Sequence, residues 1–180
     1  ERRMEKRVCT VTGSSSWIGA ATVLRFAREG WNVAINFSRD PAPAERVAAE
    51  CREAGADVLL RQADVSDDAA CRAFALAVEQ RWGRCDVLVN NAGTTKFVDL
   101  KNLDGLQADD FQRIFGVNVV APFQMARAFA PLMRRHPGSG IVNVSSVASM
   151  LGRGSSIAYA ASKGALNTLT LSLARALGPE

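Results

Sequence analysis

Hydrophobic positions alternate between two rhythms along the 180-residue chain. Short β-rich runs are followed by stretches with helical spacing, and glycine or proline marks most of the joints. Val8 to Thr12 reads as a first strand, and Gly13-Ser14-Ser15-Ser16 comes directly after it. Ile18 to Glu29 has helical spacing, with Gly30 as its stop. Val33 to Phe37 is a second strand, and Pro41 and Pro43 open a helix running to Ala54. Asp57 to Gln62 is a third strand, and Ser66 is placed to cap a helix from Asp67 to Trp82. Val87 to Asn90 is a fourth strand, followed by a polar loop from Thr94 to about Gln107. Asp109 to Arg135 reads as one long helix interrupted at Pro122. Ile141 to Val144 is a fifth strand after the turn at Pro137, and Ser156 to Leu177 is a last helix.

Strands alternating with helices at this spacing predict an α/β fold, a doubly wound parallel sheet of Rossmann type in a single domain. The domain spans residues 7–180, with 1–6 as an N-terminal extension; Glu1 to Arg3 read as a remnant ahead of Met4. In such a sheet a ligand sits at the carboxyl ends of the strands, where strand order reverses.

Composition narrows the function classes. Hydrophobic residues make up 48% of the chain and charged ones 22%, which suits one well-filled core rather than disorder. The longest apolar run, Ala73 to Val78, is far short of a membrane span, and no signal peptide is visible. Cys9, Cys51, Cys71 and Cys85 have no C-x-x-C spacing, and His136 is the sole histidine, so no metal site is expected. Reduced thiols in a cytoplasmic protein are the expectation. Net charge is +4, and residues 111–180 hold seven basic side chains against one acid, Glu180. These are scattered rather than interleaved with aromatics, which argues against nucleic acid and leaves a field that favours an anionic ligand.

Two segments carry chemistry. Strand one ends in Thr12-Gly13-Ser14-Ser15-Ser16-Trp17-Ile18-Gly19 and runs into a helix, so backbone N–H groups and the helix N-terminus can face a phosphate. Near the other end, Tyr159 is the only tyrosine, and Lys163 lies four residues on, on the same helix face. A free phenol is a poor acid–base at neutral pH, and a nearby ammonium makes it a better one. Ser145 and Ser146 end strand five, thirteen or so residues before the tyrosine. Asn118 stands four residues ahead of Pro122, which has no N–H for its carbonyl.

Together these segments resemble the short-chain dehydrogenases/reductases, from Lys6 to the end of the chain, and most nearly the 3-oxoacyl-carrier-protein reductase-like branch. The first turn is similar to that family's T-G-x-x-x-G-x-G, Asn90-Asn91-Ala92-Gly93 to its N-N-A-G, and Tyr159 with Lys163 to its Y-x-x-x-K. The resemblance implies hydride transfer between NADP(H) and a small carbonyl or secondary alcohol. Its catalytic set falls on Asn118, Ser146, Tyr159 and Lys163, with Ser145 as the alternative to Ser146. In the family a water on the asparagine carbonyl links to the lysine as a proton relay. The cofactor set falls on Gly13, Ser15, Ile18, Gly19, Ser38, Arg39, Asp64, Asn91, Ala92, Gly93, Tyr159 and Lys163. Phe37 stands where an acid would select NAD, and Arg39 can pair with a phosphate, so NADP is expected and NAD is the alternative.

The resemblance also exposes two departures. Residue 17 is tryptophan where the family has glycine, or occasionally alanine. Three explanations stand: an inactivating change, an indole that swings aside, or a sequencing artefact. Weak NADP binding is expected, with Trp17→Gly tightening it. Family members also continue past the last helix into two further strands and a substrate-covering segment, so the domain is expected to be C-terminally incomplete. The family's two long helices imply a homo-oligomer, a dimer or tetramer. Two other readings compete: the same fold acting without catalysis, and another Rossmann enzyme such as an epimerase.

Overall fold

A computed structural model describes residues 6–178. The expected remnant at residues 1–3 lies outside the described residues. Five strands form one parallel sheet: β1 (Val8–Val11), β2 (Asn32–Phe37), β3 (Val58–Gln62), β4 (Val87–Asn90) and β5 (Gly140–Asn143). Their order is β3-β2-β1-β4-β5, so the direction of winding reverses between β1 and β4. The expected doubly wound sheet is therefore present. The reversal opens a crevice above the carboxyl ends of these two strands.

The described residues form seven α-helices: α1 (Trp17–Arg28), α2 (Pro41–Glu53), α3 (Asp68–Trp82), α4 (Ala108–Phe115), α5 (Ala121–Met133), α6 (Ala148–Leu151) and α7 (Ile157–Leu177). β1, β2 and β4 are apolar nearly throughout because both their faces are covered. Alternation sorts their side chains. Cys9, Val11, Val33, Ile35 and Val89 pack with Val23, Ala27, Ala44 and Ala48 on one side. Val8, Ala34 and Leu88 pack with Phe74, Met125 and Phe129 on the other. Phe74 and Phe129 meet edge to face at 5.9 Å, joining α3 to α5. All four cysteines are free and buried, and burial pushes the Cys51 and Cys71 thiols up to about 11. No described helix is long and apolar enough to cross a membrane.

Several expected boundaries move, each for a local reason. Asp57 falls outside β3; its carboxylate pairs with Arg81 and accepts from Trp82 Nε1 at 2.8 Å. The cap of α3 is Asp67, not Ser66: Asp67 accepts from Ala69 N at 3.0 Å, while Ser66 donates back to Asp64. Ser156 caps α7 by accepting from Tyr159 N. The short α6 was not expected. The long helix is broken ahead of Pro122, by a π turn at Gly116–Val120. There Ala121 N reaches back five residues to the carbonyl of Gly116. Pro122 then occupies the first turn of α5, where a missing N–H costs least. Asn118 sits inside the widened turn.

Candidate active site

A cleft of about 1110 Å³ runs across the carboxyl ends of the strands. Its floor begins at the turn after β1, which neighbouring strands hold in place. Asn36 Oδ1 on β2 accepts from Gly13 N at 3.0 Å. Asn91 Nδ2, just past β4, donates to the carbonyls of Thr12 and Gly13 at 3.1 and 3.0 Å. Thr12 Oγ1 accepts from Asn91 N and Ala92 N, both at 3.0 Å. The crossing is so tight that a Cβ on Gly13 would stand 2.8 Å from the Ala92 Cα. One on Gly19 would stand 2.4 Å from the Gly13 carbonyl oxygen. Glycine at 13 also accommodates a φ of +60°.

Residues 13 to 19 bring the N-terminus of α1 to the cleft. Ser16, its N-cap residue, makes no side-chain cap bond, and no acid stands in the first turn. That end retains the positive polarity of a helix N-terminus and suits an anion. Gly13, Ser15, Trp17 and Ile18 line the cleft here, and Gly19 packs beneath it.

Phe37, Ser38, Arg39 and Asp64 line one lobe. The Asp64 carboxylate is held below its usual range by hydrogen bonds from the Ser66 hydroxyl and backbone. Asp40 accepts from Ala42 N at 3.0 Å as the cap of α2, so its charge is engaged at the helix end.

Asn91, Ala92, Gly93, Tyr159 and Lys163 line the other lobe. Lys163 is only 4% exposed, and burial lowers its pKa. Its Nζ donates to the carbonyl of Val144 at 2.8 Å and lies 5.8 Å from the centre of the Tyr159 ring. The phenol ring is half-buried. A Cβ on Gly93 would stand 3.6 Å from Asn118 Oδ1 and 3.8 Å from Lys163 Nζ, so this glycine keeps the space between them open.

Asn118 is fully buried behind this wall and does not line the cleft. Its Oδ1 accepts from Thr94 N at 2.8 Å, and its Nδ2 donates to Thr94 O at 2.9 Å and to Ser162 Oγ at 3.0 Å. Ser162 in turn donates to the Tyr159 carbonyl at 2.7 Å. A continuous set of bonds thus ties the loop after β4, the π turn and the Tyr159–Lys163 turn of α7.

The two serines after β5 differ. Ser145 lines the cleft, but its hydroxyl donates to Asn167 Oδ1 at 2.6 Å. Ser146 accepts from Ala148 N at 3.2 Å, which leaves its hydroxyl proton free for another acceptor. It is outside the cleft lining in this arrangement.

Four positions escaped the sequence reading. Asn36 is a buried polar residue inside the apolar run Val33–Phe37, and that interruption was its signal. Thr12 and Ser162, also buried, offered only their place inside motifs. Thr94, held by Asn118, gave no signal.

The residues present fit a dinucleotide. The cleft has the volume, the glycines leave room for close approach, an uncapped helix end faces one part, and a lysine with spare donors faces another. The comparisons agree. Residues 7–180 match the family model for short chain dehydrogenases. A solved Burkholderia xenovorans structure, provisionally assigned as a short-chain dehydrogenase/reductase, superposes with a TM-score of 0.95. It is 50% identical, over 97% of this chain and 73% of that one. The 3-oxoacyl-[acyl-carrier-protein] reductase FabG of Staphylococcus aureus is 35% identical over 93% of this chain and 67% of its own length. A metagenomic short-chain oxidoreductase solved with NADP is 36% identical, with a TM-score of 0.88, over 96% and 77% of the two chains. An NAD+-bound xylitol dehydrogenase is 32% identical, with a TM-score of 0.89, over 98% and 67%. With this sheet, this cleft and these relatives, the chain belongs to the short-chain dehydrogenase/reductase family of oxidoreductases.

Proposed function

We propose that the protein reduces a small carbonyl compound, or oxidises the matching secondary alcohol, with NADP(H). The observation that carries this reading is Tyr159 and Lys163 on one wall of the cleft, with the lysine ammonium buried 5.8 Å from the phenol ring centre. When bound, NADPH would supply the hydride. Tyr159 gives its phenolic proton to the substrate oxygen, or accepts one in the reverse direction. Lys163, with one donor committed to Val144, directs the others towards ribose hydroxyls and the phenol. Ser146 donates its free hydroxyl proton to the substrate oxygen. Ser145 serves less well because Asn167 already takes its proton. The carbonyl of Asn118 holds a water that returns a proton by way of Lys163.

Arg39 and Ser38 favour NADP over NAD. No acid lines the cleft at the end of β2, and Asp40 is turned to its own helix. Asp64 faces the adenine side as well as capping its turn. The four free, buried thiols suit a cytoplasmic setting. Val120, Phe123 and Leu171 are apolar and exposed on the helical face, which supports a homo-oligomer formed through those helices. The chain spans 67% of the length of the FabG relative.

The test is NADPH oxidation against a panel of ketones. Activity is expected, and Tyr159→Phe should lower it by about a thousandfold without changing the fold. Full activity in Tyr159→Phe would remove the assignment.

A further inference from the structure

Asn167 lies one helical turn beyond Lys163 on α7, as Lys163 lies one turn beyond Tyr159, so one stripe of the helix carries all three. Asparagine is a poor helix former, yet here it stands in the helix interior. Its amide joins a chain of hydrogen bonds around the end of β5. Asn167 Oδ1 accepts from Ser145 Oγ at 2.6 Å, and Asn167 Nδ2 donates to Ser149 Oγ at 2.9 Å. Ser149 Oγ donates to the Ser146 carbonyl at 2.6 Å, and Ser149 N donates to the same oxygen at 3.1 Å. The amide stands only this way round. Ser149 has one hydroxyl proton and commits it to the Ser146 carbonyl, so it must accept from Asn167. The amide oxygen is thereby turned to Ser145 and takes its proton. The Lys163 carbonyl, 3.4 Å from the same hydroxyl, is the weaker acceptor.

The consequence falls on the two serines after β5. Ser145 lines the cleft but has no proton left to offer. Ser146 accepts from Ala148 N at 3.2 Å and keeps its proton for another acceptor. We propose that Asn167 is a positioning residue that selects which serine serves the substrate oxygen: it withdraws Ser145 and, through Ser149, braces Ser146. This rests on the reading of the cleft as that of a carbonyl reductase. Ser145 is then a donor held in reserve, and removing the Asn167 oxygen returns it to use.

The experiment is ketone reduction with NADPH by the wild type, by Ser146→Ala, and by Ser146→Ala combined with Asn167→Ala or with Asn167→Asp. Ser146→Ala should lower kcat about a hundredfold. Adding Asn167→Ala should recover roughly tenfold, and adding Asn167→Asp, which keeps an acceptor on Ser145, should recover nothing. A second substitution that only loosened the helix would lower activity further, so recovery is not a structural effect. No recovery with Asn167→Ala, or equal recovery with both, overturns the selection while wild-type activity leaves the reductase reading standing. Urea unfolding gives a readout without nucleotide. The midpoint losses of Asn167→Ala and Ser145→Ala should fall short of additive when combined, because both break one shared bond. Additive losses remove that bond and the proposal with it. If the wild type folds by circular dichroism and reduces no ketone, the reductase reading itself fails and takes the selection with it.

Discussion

The two ends of the cleft are made on opposite terms. At the end that holds Tyr159 and Lys163 the side chains are buried and cross-tied. Asn118 makes three hydrogen bonds with no exposed surface, and Lys163 is held by the Val144 carbonyl. At the phosphate end the frame is equally firm, since Thr12, Asn36 and Asn91 clamp the turn. Trp17, which lines the cleft there, however, projects into solvent in a strained conformation. A change at the buried end is felt by the whole fold. A change at residue 17 leaves the core untouched. The two ends of one groove therefore differ in how far a substitution reaches into the fold.

The sharpest way to break that contrast is Asn118→Ala. It strands the Thr94 N–H and carbonyl, and removes the group that Ser162 receives from. A loss of about 3 kcal/mol in urea unfolding is expected. A loss below about 1 kcal/mol would mean that the catalytic end is no more tightly specified than the other.

Arg39→Ala probes the exposed end. It should weaken NADP binding by about tenfold, leave NAD binding unchanged, and leave the unfolding midpoint where it was. Equal losses for the two nucleotides would remove Arg39 from the discrimination.

The smallest effect concerns pH. Burial lowers the Lys163 pKa in the folded protein. Below that lowered value both folded and unfolded chains hold the proton, and the burial cost is fully present. Between it and the ordinary lysine value the unfolded chain binds more protons, so stability rises with pH across that window. Replacing Lys163 by Met should remove this rise, read as urea midpoints that no longer climb from neutral to alkaline pH. An identical pH slope in both proteins would place the lysine in water rather than in the wall.

The strands and most of the helices were legible because each carries its own period and its own stop. Val87–Asn90 needed no adjustment, and Gly83, with a φ of +66°, ends α3 as its position suggested. The Tyr159–Lys163 pair was legible because helical spacing alone puts both on one face. What could not be read depends on partners distant in sequence. Asn36 acts on Gly13, Asn118 on Thr94, and Ser145 on Asn167, and no local pattern announces such pairs. The π turn was missed for another reason. Pro122 flagged a disturbance, but a helix absorbs a proline by kinking, by ending, or by widening one turn, and only neighbouring elements decide among these.

That widened turn works as a phase shifter. One surplus residue offsets the downstream helix by about 100° around the axis. The segment before it can then show Gln112 and Arg113 to the cleft, while the segment after it keeps Met125 and Phe129 against the sheet. Deleting a single residue between 116 and 120 would restore an unbroken helix and bring the two halves into step. One face or the other would then be aimed wrongly, and the shortest possible deletion would cost the molecule either its groove or its core.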